Sequence, residues 1–192
     1  MKRPSLQNHG FSLVEALVAI AILLTVISGV MLLVNQSIRT GQDISNRLAA
    51  SYLASDAIEY LRYERDTKWL ADGVGDFNEW VNNDLPDCEK TNITCKVDTR
   101  KGAGKVTECN NKPCENLKYN SSEYVYGYDS SWGKSKFTRK VEFIGINDLS
   151  DDDDNDSNKD DELIVEVTVT WPQTGGDTGE LVLTDTLSSW GD

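Results

Sequence analysis

Residues 11–34 carry a single charge, Glu15, and otherwise run almost unbroken through Ala, Val, Ile, Leu and Met. Only Ser12, Thr25, Ser28 and Gly29 interrupt the apolar pattern. At helical rise such a block is about 36 Å long, enough to cross a bilayer core with some tilt. Polarity then changes while helical signals persist, because residues 35–70 contain no proline and only one glycine, Gly41. Ile44, Leu48 and Tyr52 recur at intervals of four, and Ala54, Ile58 and Leu61 continue an apolar stripe. That spacing predicts a helix with one face on a folded head. Gly73 and Gly75 supply stop signals. One continuous helix from about Ser12 to about Leu70 is therefore expected, membrane-spanning over residues 11–35 and amphipathic over 36–72.

The remaining residues, 73–192, form the expected head. Residues 71–135 are rich in Asn and Gly and hold Pro86, Pro113 and all four cysteines, which predicts irregular structure with short elements. Residues 76–82 are a candidate short helix. Tyr119, Tyr124, Tyr126, Tyr128 and Trp132 form an aromatic-rich stretch in which 124–128 alternate like a strand. It reads first as an edge strand plus core cover, with a ligand-binding surface as the alternative. From Phe137 the alternation sharpens. Phe137, Val141 and Phe143 share one strand face; Leu163, Val165, Val167, Val169 and Trp171 define a second strand; Leu181, Leu183 and Leu187 mark a third. Turn-rich residues 172–179 separate the last two. The expected fold class is α+β: a long N-terminal α-helix packed against a C-terminal antiparallel β-meander, with a disulfide-containing loop region.

Composition narrows the function. The formal charge of −13 argues against nonspecific nucleic-acid binding, which rests on Lys and Arg. Cys88, Cys95, Cys109 and Cys114 all follow the membrane segment, and an even count in a translocated domain points to two disulfides. Their spacing lacks close CxxC pairs and no histidine accompanies them, which disfavours zinc. Local loops, Cys88–Cys95 and Cys109–Cys114, are favoured among the three possible pairings. The one histidine, His9, lies in a basic N-terminal leader with Lys2 and Arg3. If the leader is removed, the net charge becomes −15 and no histidine remains. Histidine-dependent triads, dyads and metal sites are then unavailable within one chain, so no enzyme is expected.

Glu15 is the anomaly. A carboxylate near bilayer depth costs a few kcal/mol or more and calls for a partner. A secretory signal peptide does not fit, because its apolar core is only about 7–15 residues and ends at a cleavage site. The one Ala-x-Ala here, Ala19-Ile20-Ala21, lies in mid-run. A plain signal anchor fits the length but leaves Glu15 unexplained. The run Gly10-Phe11-Ser12-Leu13-Val14-Glu15-Ala16-Leu17 resembles the processing and assembly motif of type IV pilins and type II secretion pseudopilins. The resemblance implies a leader at residues 1–10, cut by a prepilin peptidase between Gly10 and Phe11, and methylation of the new Phe11 amino group. It further implies that Glu15 pairs with the Phe11 ammonium of a neighbouring subunit as helices bundle, and that the helix loosens near Ser28-Gly29 in the filament. Residues 13–19 and the C-terminal strand pattern look closer to minor pilins. The implied partners are the peptidase, other pilin subunits and the membrane. The implied locations are single-pass in the inner membrane with the head outside the cytoplasm, then an extracellular pilus or a pseudopilus.

One acidic stretch carries candidate chemistry of its own. Asp151, Asp153, Asn155, Ser157 and Glu162 match the oxygen-ligand spacing of an EF-hand-type calcium loop. Position six is Asp156 rather than glycine, and no helical pattern precedes the loop. A solvated loop held open by self-repulsion is the preferred reading, with calcium as the only candidate cofactor. The alternative function is an adhesin-like or calcium-binding module that uses the N-terminal motif for export.

Overall fold

The computed structural model describes residues 12–72, 77, 80, 81, 85, 88, 93–100, 105–109, 114–147, 162–173 and 175–188. Helix α1 spans Leu13–Asp72, and strands follow as β1 (Thr94–Asp98), β2 (Lys105–Glu108), β3 (Asn116–Asn120), β4 (Val125–Gly127), β5 (Gly133–Asn147), β6 (Glu162–Pro172) and β7 (Thr178–Ser188). Internal contacts divide the chain into Met1–Ile44 and Ser45–Asp192. The part of α1 after Ile44 thus belongs to the same compact unit as the sheet.

In the first unit, Leu17, Ile22, Leu24, Ile27, Met31 and Leu33 are all more than half exposed. Among the described residues, α1 is the one helix long and apolar enough to cross a membrane. The helix is unbroken through Ser28-Gly29, where the Ser28 hydroxyl donates to the Leu24 carbonyl at 2.7 Å. Phe77, Trp80 and Val81 have helical backbone; the rest of residues 76–82 lies outside the described residues.

In the second unit, α1 lays Ala50, Leu53, Ala54, Ala57, Ile58 and Leu61 into the core. Spacings of three, four, seven and eight keep these on one arc of a helix that turns roughly 100° per residue. The expected stripe is corrected in its first half: Ile44, Leu48 and Tyr52 are 60%, 56% and 70% exposed. On the helical wheel they fall roughly 110–190° from the centre of the buried arc. Alanines do the packing instead, since with Ala50, Ala54 and Ala57 wholly buried the helix backbone comes close to the sheet.

The three alternating segments form an antiparallel meander, β5 with β6 and β6 with β7. Phe137, Val141 and Phe143 of β5 and every second residue of β6 from Leu163 to Trp171 are buried against α1. Two short hairpins, β1–β2 and β3–β4, extend the sheet to seven strands. Both use the edge of β5 that β6 leaves free. β3 pairs with its first half, through Gly133 to Thr138, and β1 pairs at Val141 and Glu142. The long central strand thus serves as backing for everything else in the sheet.

Between β6 and β7, Gly175 and Gly176 adopt φ of 115° and 94°, open to glycine without a Cβ penalty. The Gln173 amide closes this turn by donating to the Asp177 carbonyl at 2.8 Å. At Gly179, a Cβ would sit 2.3 Å from the indole of Trp171, itself 1% exposed. Gly179→Ala must therefore push a buried ring, and overpacking of this kind costs about 1–3 kcal/mol. A lowered urea midpoint with an unchanged slope is the expected readout.

The structure joins Cys88 to Cys95 and Cys109 to Cys114 and leaves no free thiol. The Cys88–Cys95 bridge ties the segment after α1 to the start of β1, where Cys95 pairs with Val141. The second bridge closes the connection between β2 and β3.

Candidate functional site

Two places carry chemistry: the start of α1 and a groove in the folded unit. At the first, Ser12 precedes the helix and its carbonyl accepts the Ala16 amide at 3.1 Å, the first bond of the ladder. Ser12 is thus the N-cap residue and Glu15 the third residue of the helix. Ser12-Leu13-Val14-Glu15 fits the capping-box pattern, in which Ser and Glu side chains reach toward each other's backbone amides. A carboxylate in the first turn also opposes the positive end of the helix dipole. Glu15 is exposed, like the apolar side chains around it. Gly10 and Phe11 lie outside the described residues, as do Asp151, Asp153, Asn155 and Ser157 of the acidic stretch. Glu162 opens β6 opposite Ser188.

The groove, of about 870 Å³, lies between α1 at Ala49, Tyr52, Leu53 and Asp56 and the loop and β4 residues Thr99, Arg100, Glu123 to Tyr126 and Trp132. Two of these residues, Leu53 and Asp56, are held by Arg139, which projects inward from β5 and is 1% exposed. One Arg139 nitrogen donates to the Leu53 carbonyl at 2.7 Å and to Asp56 at 3.2 Å, and the other donates to the Val97 carbonyl at 2.6 Å. A single guanidinium therefore ties helix, first hairpin and central strand together. Asp56 also accepts from the Thr99 hydroxyl at 2.6 Å, while half of its side chain stays exposed.

Arg100 is equally committed. It pairs with both oxygens of Asp98, donates to Asp129 at 3.1 Å and lies 4.9 Å over the Trp132 ring. Hydrogen bonding to Asp98 raises its already high pKa further, so it stays charged at every accessible pH. Gly127 makes room for this arrangement, since a Cβ there would meet the Arg100 side chain at 2.7 Å. Asp129 is held below the usual carboxylate range by the Ser131 amide and hydroxyl, and by Arg100. Because its folded pKa is depressed, its contribution is present above the ordinary carboxylate pKa and is lost as pH falls through the lowered value.

The turn from β3 to β4 is built by Asn120. Its carbonyl accepts the Tyr124 amide at 2.8 Å, its side-chain oxygen accepts the Ser122 amide at 2.9 Å, and its side-chain nitrogen donates to Glu123 at 3.3 Å. Tyr124 is forced to φ 59°, left-handed backbone unusual for a large side chain, and the residue is 78% exposed. The aromatic stretch thus divides. Tyr126 and Tyr128 pack against the core, and burial raises the pKa of both phenols, whereas Tyr124 is displayed. Sequence periodicity pointed to an edge strand here and missed Arg139 and Arg100, since nothing local marks which arginine is buried.

Over residues 6–31 the chain matches the family model described as the prokaryotic N-terminal methylation motif, which supports a type IV pilin- or pseudopilin-like protein. No curated protein and no solved structure matches the chain.

Proposed function

We propose that this type IV pilin- or pseudopilin-like chain is a structural subunit, processed after Gly10 by a prepilin peptidase and assembled into a filament as a minor pilin or pseudopilin. The observation that carries the reading is the exposed face of α1. From Leu13 to Val34 its large apolar side chains lie open on all sides, and a helix apolar all round needs lipid or neighbouring helices. Before assembly the bilayer supplies that environment, with the sheet-bearing unit on the extracytoplasmic side. After assembly other subunits supply it, in an extracellular pilus or a pseudopilus. Glu15 is the one carboxylate in this surface. Paired with the Phe11 ammonium of a neighbour it would select register, because only one axial offset brings the two charges together.

Intact-mass measurement on protein recovered from membranes tests the processing step. The expected species lacks residues 1–10 and carries one added methyl group. An uncut N-terminus would overturn the assignment.

A further inference from the structure

We propose that the groove between α1 and the Asn120-built turn binds a lysine- or arginine-bearing peptide segment of another protein. The observations concern charge and shape. Among the described residues the cation lining the groove, Arg100, is already spent on Asp98, Asp129 and the Trp132 face, and the buried Arg139 is spent on two backbone carbonyls and Asp56. What stays open to solvent is acidic and aromatic. Asp56 keeps half of its side chain exposed while accepting from Arg139 and Thr99, Glu123 is exposed while accepting from Asn120, and Tyr52 and Tyr124 are 70% and 78% exposed. A cation over a tyrosine face gains from the ring quadrupole, and nearby carboxylates add charge complementarity.

The display of Tyr124 is costly. A non-glycine residue with positive φ stores backbone strain, which the surrounding structure must over-determine. Here two hydrogen bonds accepted by Asn120 and one that it donates fix the turn that does so. A turn serving only to reverse the chain could hold glycine at that position, and the strain instead aims an aromatic ring into solvent at the rim of the groove. The volume, about 870 Å³, lies within the range of ligand-binding clefts and leaves room for side chains of an extended segment. A second copy of this chain is a poor occupant, since the net charge of −13 repels a like surface. The inference is independent of the filament reading and would hold in any assembly that leaves the groove open.

The test uses the full chain in non-ionic detergent micelles and fluorescence anisotropy of a rhodamine-labelled glycine–serine peptide carrying arginines, with a glutamate-bearing peptide as comparison. Saturable binding of the arginine peptide alone is expected, weakening as salt is raised. Tyr124→Asn should weaken binding about fivefold, the equivalent of one cation–π contact, while Tyr124→Phe keeps the ring and should bind like the parent. Asparagine tolerates left-handed backbone, so the turn survives that change. Glu123→Gln should weaken binding about threefold. The acidic run at residues 151–156 also attracts cations, so the ring-dependent arm decides. Equal binding by the glutamate peptide, or an affinity indifferent to Tyr124→Asn, overturns the proposal.

Discussion

Arg139→Met is expected to cost about 3–4 kcal/mol of folding stability, a large share of the roughly 5–15 kcal/mol that a domain possesses. Methionine nearly fills the space and carries no charge, so the loss is polar rather than steric. The Leu53 carbonyl lies inside α1 and keeps its helical partner. The Val97 carbonyl is different. The ladder between β1 and β5 comprises only Thr94 with Glu142 and Cys95 with Val141, and two steps further along that register Val97 would face Arg139. No such pair forms, and the Arg139 guanidinium bonds the Val97 carbonyl instead. Removing it leaves a buried carbonyl without a partner, worth about 1–3 kcal/mol, and loses the charge-assisted bonds that dock the hairpin and helix on the central strand. Asp56→Asn should cost less than the arginine change, because that side chain is half exposed and the asparagine oxygen can still accept from Arg139 while the two backbone bonds persist. Urea titration followed by tryptophan fluorescence separates the two. Equal losses would show that the ion pair, and not the backbone bonds, holds the hairpin.

This contrast also explains what could be read from the sequence. Strands β5 to β7 were legible because each alternates well enough, with one face turned to the core, for period two to find it despite Arg139 and Thr168. The length of α1 was legible from an apolar block followed by a proline-free stretch. The buried face of its second half was only partly so. Large residues at Ile44, Leu48 and Tyr52 draw the eye, yet the core uses alanines whose value lies in how close they let the helix come. Strands β1 to β4 are three to five residues long, too short for periodicity, and are held by two disulfides, an arginine and long-range pairing with β5. Their existence depends on partners dozens of residues away, which no local window contains. The groove inherits the same obscurity, since Tyr52, Arg100 and Tyr124 converge only once both hairpins are docked.

At the other end of the molecule, Glu15→Gln is expected to leave cleavage after Gly10 intact while reducing incorporation into filaments on the order of a hundredfold. Glutamine is the informative replacement because two roles for Glu15 predict opposite outcomes. If the residue serves mainly to cap its own helix, glutamine suffices, since the capping box accepts Gln at this position and the loss of charge against the dipole is worth only about 0.3–1 kcal/mol. If its carboxylate neutralises the ammonium of a neighbouring Phe11 inside an apolar bundle, glutamine leaves an uncompensated buried cation, at about 3–5 kcal/mol. A penalty of 3 kcal/mol is already more than a hundredfold in an equilibrium constant. The local geometry favours a division of labour between membrane and filament. In the free chain the exposed Glu15 sits in the first turn of α1, where the dipole lowers the cost of its charge. In the filament proposed above, the same carboxylate would instead meet the amine of a neighbouring subunit. Mass spectrometry of the membrane pool reports processing, and quantitative blotting of sheared filaments reports incorporation. Parental incorporation of the glutamine variant would assign Glu15 to capping and remove its role in choosing a neighbour.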